Sequence, residues 1–455
     1  MKAIDFPPCR LRCAASTVDI TPPTGIHLHN WAYSRQKTAT GVHRPLYASL
    51  LALETEAGEG GRSLLVSMDL GWWMSSGDEE ALRAAILEAC GLSPERVIVA
   101  LTHTHAGPSL SRADFDRPGG ELVAPYLEEI GRSVSSEASR LFEALEPASL
   151  DWAYGRCSLA FNRDLYVPHE GRFVVGANPS VEADDTLLVG RLVSPEGRTI
   201  AVVVNYAAHP TTLGGTNSLI SPDYLGSARE VVEAATGGAF LFLQGASGDL
   251  SPRVQYSSDP ADADRNGRVL GYAVLSTLEG MLAPGTQLEY AETIESGAPL
   301  GVYTAAGVPD DSASSFTRLD VVLSTQSNQP PATEDPVVQA DREIRAGRVR
   351  SNVAATETVF PVTIWELGRA VVFAYPGEAY SELQKRLRSA APDRAVVVVN
   401  LGNGAHQGYV APAAAYSDQR YPAWQSPLAR GSFERLLSAC TEYLATMAFK
   451  DRSTV

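Results

Sequence analysis

The chain has 455 residues, 44% of them hydrophobic and 20% charged, with 53 acidic against 37 basic residues and a formal net charge of −16. This composition fills a large core and excludes a disordered, fibrous or collagen-like protein. The acidity argues against nucleic acid as a partner, because a phosphate backbone requires a basic face.

The N-terminal stretch MKAIDFPPCRLRCAAS places prolines and charges where a signal peptide carries an apolar run. No apolar run reaches the ~18 residues of a membrane span, so the reading predicts a cytoplasmic protein without a transmembrane segment. The five cysteines (Cys9, Cys13, Cys90, Cys157 and Cys440) are few and odd in number, unlike an extracellular disulfide scaffold. Cys9 and Cys13 lack the second pair that a zinc ribbon needs.

Along the chain, strand-like runs at 48–53 and 63–70 precede a helical pattern at 78–90. A β-branched run at 97–101 leads to a long helical stretch at 122–145. Further strand-like runs fall at 187–193, 200–206, 240–243, 359–367, 370–374 and 395–400. Helical patterns occupy 224–235, 376–389 and 432–445. The order predicts an α/β fold, one large domain over 1–455 with mixed β-sheets flanked by helices and some parallel pairing. The polar, proline-bearing segment 324–335 is read as a surface loop or a minor boundary.

Polar residues gather where strands end. The 97–101 run continues into Thr102-His103-Thr104-His105-Ala106-Gly107-Pro108, and strand alternation would put both histidines on one face. The 200–206 run ends at His209-Pro210, and the 240–243 run at Gln244-Gly245-Ala246-Ser247-Gly248-Asp249-Leu250-Ser251-Pro252. The 370–374 run ends at Tyr375-Pro376-Gly377-Glu378, and the 395–400 run at Leu401-Gly402-Asn403-Gly404-Ala405-His406-Gln407-Gly408-Tyr409. Ligands of open α/β sheets bind beyond the carboxyl ends of strands. Each feature alone has a structural explanation, such as a turn or a helix start. Their shared placement points to a metal-centred hydrolytic site at those strand ends. A dinucleotide fingerprint, a Walker loop and a Gly-x-Ser-x-Gly elbow are all missing from the sequence.

The segments LTHTHAGP, NYAAHPTTLGGTNSLISPDYLGSARE, LFLQGASGDLSP, FAYPGEAYSELQKRLR and GNGAHQGYV resemble, in order, the catalytic domain of the neutral (non-lysosomal) ceramidases. Val18-Asp19-Ile20-Thr21-Pro22-Pro23, Ser67-Met68-Asp69-Leu70 and Phe161-Asn162-Arg163 add to the likeness. The resemblance implies one zinc ion per chain, held by His103, His209, Glu378 and Tyr409. Such a His2Glu set leaves a position for water, whose pKa the metal lowers toward ~7. It also implies a catalytic serine at Ser251, either attacking or orienting, with Arg163 and Tyr421 beside the developing oxyanion. His105 is the candidate for proton transfer or for orienting a ligand, and Asp249 for fixing the loop or a metal ligand.

The expected reaction is zinc-dependent hydrolysis of an amide by metal-bound hydroxide, with a small-molecule amide or ester as the partner. The alternatives are an esterase or lactonase using the same site, or a non-catalytic scaffold. The family also carries a C-terminal immunoglobulin-like domain bordering the pocket, and this chain stops at Val455. A substrate smaller than ceramide is therefore expected, in a pocket bordered by 168–185 and 301–315.

Overall fold

The computed structural model describes residues 6–28, 31–55, 61–327 and 330–453. Residues 1–5 of the N-terminal stretch and residues 328–329 of the 324–335 segment lie outside it. An eight-stranded sheet runs in the order 239–244, 199–206, 186–193, 146–156, 9–19, 47–55, 62–68, 97–101. Its two end pairs are parallel and the rest antiparallel. A second sheet orders 314–324, 357–367, 370–375 and 395–400, and only its last pair is parallel.

Strand alternation shows how the layers stack. In the eight-stranded sheet, Leu51, Leu65, Ile98 and Val203 face the second sheet, where Trp365, Val372, Val397 and Val399 meet them. The intervening residues Leu50, Val66 and Val99 turn outward. There they meet helices α1 (Ser76–Cys90) and α2 (Val123–Glu143), which supply Ile86, Ile130 and Val134. Val202 and Val204 pack outward with Val232 of α3 (Tyr224–Thr236) and Leu270 of α4 (Pro260–Glu279).

Helix α5 (Pro336–Ser351) lies against Trp72, Met74 and Asp114, while beyond the second sheet lie α6 (Glu382–Ala390), α7 (Ala413–Ser417), α8 (Tyr421–Gln425) and α9 (Ser432–Ser453). Val396 and Val398 pack on Leu383 of α6 and Leu436 of α9. The molecule is thus a four-layer stack of helices, sheet, sheet and helices. Each such buried aliphatic side chain contributes about 1.5–3 kcal/mol, so alternation on both faces of both sheets fixes the register.

The mixed-sheet α/β expectation holds, with antiparallel pairs in the majority. The helical pattern at 376–389 begins later, at Glu382, because Glu378–Ala379 first pairs with Tyr409–Val410 as a short parallel bridge. The strand 9–19, the strand 146–156 and helix α4 are additions to the sequence reading. The 324–335 segment joins the end of strand 314–324 to α5. Among the described residues no helix is long and apolar enough to cross a membrane.

Candidate metal centre

The strand 97–101 stops at Leu101, and the two next amides donate to a neighbouring loop, Thr102 to Met68 O and His103 to Leu70 O. His103 has a φ of 74°, the left-handed region that a non-glycine residue enters at a cost of order 1–3 kcal/mol. The two histidines therefore meet by this turn and not by the strand pleat expected from the sequence. Their ring centroids are 4.8 Å apart, and His103 is 4.7 Å from His209. Ligand nitrogens of His103, His105 and His209 lie within 4.8 Å of one another, so the three could share a metal ion.

Glu378 is the hub of the cluster. Its Oε2 stands 3.2 Å from His103 Nε2 and 2.8 Å from His209 Nε2, and its Oε1 stands 2.8 Å from His406 Nε2. The opposite edges of two rings face backbone carbonyls. His209 Nδ1 is 2.7 Å from Ser247 O and 3.1 Å from Leu250 O, and His103 Nδ1 is 3.3 Å from Gly71 O. A carbonyl only accepts, so each Nδ1 carries the proton, and in a neutral imidazole Nε2 then carries a lone pair.

Burial, with the Arg163 charge and His103 added to it, outweighs Glu378 and drives His209 down to about 3. Burial alone would raise the Glu378 carboxyl, but His103, His209 and His406 hold it well below the usual carboxylate range. A neutral His209 thus directs a lone pair at an ionised carboxylate. Two acceptors facing each other at 2.8 Å would be reconciled by a cation held by both. The donor set, two imidazoles and a carboxylate, suits a zinc-like ion.

Tyr409 sits beside Glu378 on the paired bridge, with its ring stacked 6.5 Å from that of His209. Burial, Glu378 and Tyr421 raise its phenol well above the ordinary value, against the pull of Arg163. Arg163 is buried behind it. The guanidinium donates through Nε and Nη2 to Gly248 O, and through Nη2 to the Tyr409 oxygen at 3.1 Å. Burial would weaken the Arg163 charge, but Tyr409 and Glu378 more than restore it. Arg163 stands behind Tyr409, not on the cavity wall.

Tyr421, at the start of α8, packs edge-on 5.5 Å from Tyr409 and lines the cavity. Ser251 pairs opposite Phe161, next to Asn162 and Arg163, and its buried Oγ has no hydrogen-bond partner. His105 is held between Trp31 and Trp72, each ring 5.0 Å away, and neither of its nitrogens has a hydrogen-bond partner. Burial and the neighbouring His103 and His209 keep it neutral, well below the ordinary value. Asp249 does not touch the histidines. It accepts from Ser381 N at 2.6 Å and Ser381 Oγ at 2.9 Å, so it belongs to the support of the site.

Over the cluster lies a cavity of about 40 Å³, small beside the ~300–1,000 Å³ of most ligand pockets. Trp72, Trp73 and Met74 form its apolar wall, and Arg345, Arg348, Val349 and Asn352 close it from above. Neither 168–185 nor 301–315 lines it. Residues 172–175 pair with 164–167, and 300–307 form an exposed hairpin with 286–294. The roof is α5, which the sequence reading left unassigned although Asp335 caps it, accepting from Val337 N and Val338 N, and Pro336 opens it. His406 also received no role from sequence, although it stands on one of the five strand ends. Cys9 and Cys13 are buried, free thiols that burial pushes up to about 12.

The sequence model of the family described as neutral/alkaline non-lysosomal ceramidase, N-terminal, matches residues 12–266. The chain belongs to that family. The neutral ceramidase of Pseudomonas aeruginosa is 24% identical to it, over 92% of this chain and 69% of the relative. The neutral ceramidase of Mycobacterium tuberculosis is 31% identical over 51% of this chain and 39% of its own length. Among solved structures, a ceramidase complexed with C2 superposes with a TM-score of 0.67 at 19% identity, covering 99% of this chain and 76% of that one. The crystal structure of the Pseudomonas aeruginosa neutral ceramidase gives 0.64 at 19% identity, with 99% and 75% covered. At this identity the structural match shows a shared ceramidase fold, and it extends beyond residue 266 to the segments that carry Glu378 and Tyr409.

Proposed function

We propose that this ceramidase-family hydrolase cleaves the amide bond of a small N-acyl compound with one zinc ion, held by His103, His209 and Glu378 with Tyr409 as a fourth oxygen. The observation that carries the reading is the His209 ring, whose Nδ1 is committed to two carbonyls while Nε2 points at the Glu378 carboxylate. When bound, such an ion supplies Lewis acidity and lowers the pKa of water toward neutrality.

The chain's own residues supply the rest. Arg163 holds the Tyr409 phenol by its Nη2 and keeps positive charge behind it. Tyr421, on the cavity wall, directs its phenol toward the place where a carbonyl oxygen gains negative charge. His105, neutral and without hydrogen-bond partners, is placed to take a proton at Nδ1 or Nε2 and return it to the leaving amine. Ser251, buried and with an unpartnered Oγ, is the serine that the family resemblance assigns either to attack or to orienting the substrate. Trp72, Trp73 and Met74 exclude water and cover a short acyl chain. The small cavity, about 40 Å³, supports a substrate smaller than long-chain ceramide. Five free thiols support a reducing, cytoplasmic setting.

The same site would serve an ester or lactone, so the test compares both. Metal analysis of the purified protein, with a screen of N-acyl amides of graded acyl length beside matching esters, is expected to give one zinc and best turnover on a short amide. Absence of any divalent ion after reconstitution would sink the enzyme reading. A steep rise in kcat/KM toward long-chain ceramide would sink the small-substrate one.

A further inference from the structure

Helix α8 brings two side chains to the cavity, Tyr421 at its first position and Gln425 at its last, four residues apart and so on one helical face. The helix is held firmly around them. Tyr421 packs edge-on against Trp424 at 4.9 Å and against Tyr409 at 5.5 Å. Gln326 Nε2 donates to Ala423 O at 3.3 Å and to Ser426 O at 3.4 Å, and Ser426 Oγ donates to Tyr409 O at 2.7 Å. Gln425 thus sits beside a residue tied to the backbone of Tyr409.

The Oε1 atom of Gln425 is buried and has no hydrogen-bond partner. Among the described side chains on the cavity wall it is the one such oxygen. Arg345, Arg348, Trp72 and Trp73 carry only donors. The Tyr409 oxygen is bound by Arg163 at 3.1 Å, and the Glu378 carboxylate faces His103, His209 and His406. A buried carbonyl oxygen without a donor is costly, and a ligand that brings an N–H recovers that cost. An ester oxygen brings only lone pairs, which would face those of Oε1 with no hydrogen between them.

We propose that Gln425 Oε1 accepts the N–H of the scissile amide, which makes the site selective for secondary amides over esters and over N-alkylated amides. The inference rests on the hydrolytic reading above and deepens it by choosing between the amide and the ester. One face of α8 then reads both halves of an amide group, with the Tyr421 phenol at the C=O and Gln425 at the N–H.

The test uses the full 455-residue chain and a pair of compounds that differ only in N–H against O, N-hexanoylethanolamine and ethylene glycol monohexanoate. Turnover and calorimetric binding are measured for the wild type, Gln425→Met and Gln425→Glu. Methionine has a similar reach and no oxygen, whereas a carboxyl group still accepts. The amide-to-ester ratio of kcat/KM is expected to fall about tenfold in Gln425→Met, the scale of one hydrogen bond to a buried acceptor. Comparing that ratio between variants cancels the greater intrinsic reactivity of the ester. Gln425→Glu is expected to stay within about threefold of the wild type, because its acceptor survives. N-hexanoyl-N-methylethanolamine, which has no N–H, should gain on its parent amide in Gln425→Met. A ratio that methionine leaves unchanged would overturn the proposal, since a merely structural loss slows both substrates alike. So would a glutamate variant indistinguishable from methionine. If neither compound turns over, the hydrolytic reading falls by itself, and the ratio of binding constants, expected to shift in the same sense, still decides for or against Gln425.

Discussion

Asp249 receives two hydrogen bonds from Ser381, from the backbone N–H at 2.6 Å and from the hydroxyl at 2.9 Å. This pair joins the loop that carries Ser251 to the start of α6, three residues after Glu378. Replacing Asp249 by alanine leaves buried donors unsatisfied, which costs about 1–3 kcal/mol. The expected result is a lower denaturation midpoint and reduced turnover with metal content retained. The pH dependence carries a sign. Burial pushes the Asp249 carboxyl from 3.8 up to about 6. The native state therefore binds this proton more tightly than the unfolded chain, and its contribution to stability declines as pH rises from about 4 to about 6 and is level above. Asp249→Asn removes that decline. Urea midpoints at pH 4.5 and pH 7 should shift in favour of the asparagine variant at the higher pH, and an unchanged difference would refute the assignment.

His103→Ala and His209→Ala are expected to lose the metal and to lower turnover at least ~100-fold, beyond what removal of a group merely supporting a ligand does. The rings lie beyond the ends of two separate strands, so the far-ultraviolet dichroism of both variants should remain that of the parent. Full zinc occupancy in either variant would remove that histidine from the ligand set.

Ser251→Ala tests attack against orientation. The hydroxyl makes no hydrogen bond, so the midpoint should shift by less than about 1 kcal/mol and the metal should stay. Turnover is expected to fall but to remain measurable above background. Complete loss with metal and fold intact would instead make Ser251 the nucleophile.

Arg348→Met releases the roof. The Asp114 carboxylate is fully buried and would lose one of its partners. The expected cost is about 1–3 kcal/mol, localised to α5. Hydrogen exchange should therefore quicken over residues 336–351 while strands of the two sheets keep their protection. Uniform loss of protection would mean that α5 is part of the cooperative core and not a separable roof.

Much of the architecture was legible in the sequence, because valine and leucine runs such as 97–101, 370–375 and 395–400 are buried on both faces and read as strands whatever their partners. The four-layer order was not legible, since it depends on which face of each strand meets which sheet, and a run buried on both faces carries no alternation of polarity. At the site, His103, His209, Glu378 and Tyr409 were visible as polar residues at strand ends, and the structure brings them together. The means of bringing His103 and His105 together was missed, because a left-handed turn at a histidine leaves no mark in composition. The roof was missed for a different reason. Helix α5 is polar on most of its surface, with Arg342, Arg345, Arg348 and Arg350 along it, and an apolar stripe is what a sequence reading looks for.

The hub of the site has a temporal meaning. His103 and Glu378 touch across a sequence separation of 275 residues, and His209 and Glu378 across 169. His103 and His209 belong to the segment that builds the eight-stranded sheet, whereas Glu378, His406 and Tyr409 come from the segment that builds the other. A chain emerging from the ribosome can complete its first sheet's strands from residues 9–244 long before the last ligand exists. Until residue 409 has been made and both sheets have closed face to face, the His103 and His209 rings lack their carboxylate. Partially synthesised or truncated chains should thus hold an ion only through His103, His105 and His209, and the full ligand set arrives late, when the sheets dock.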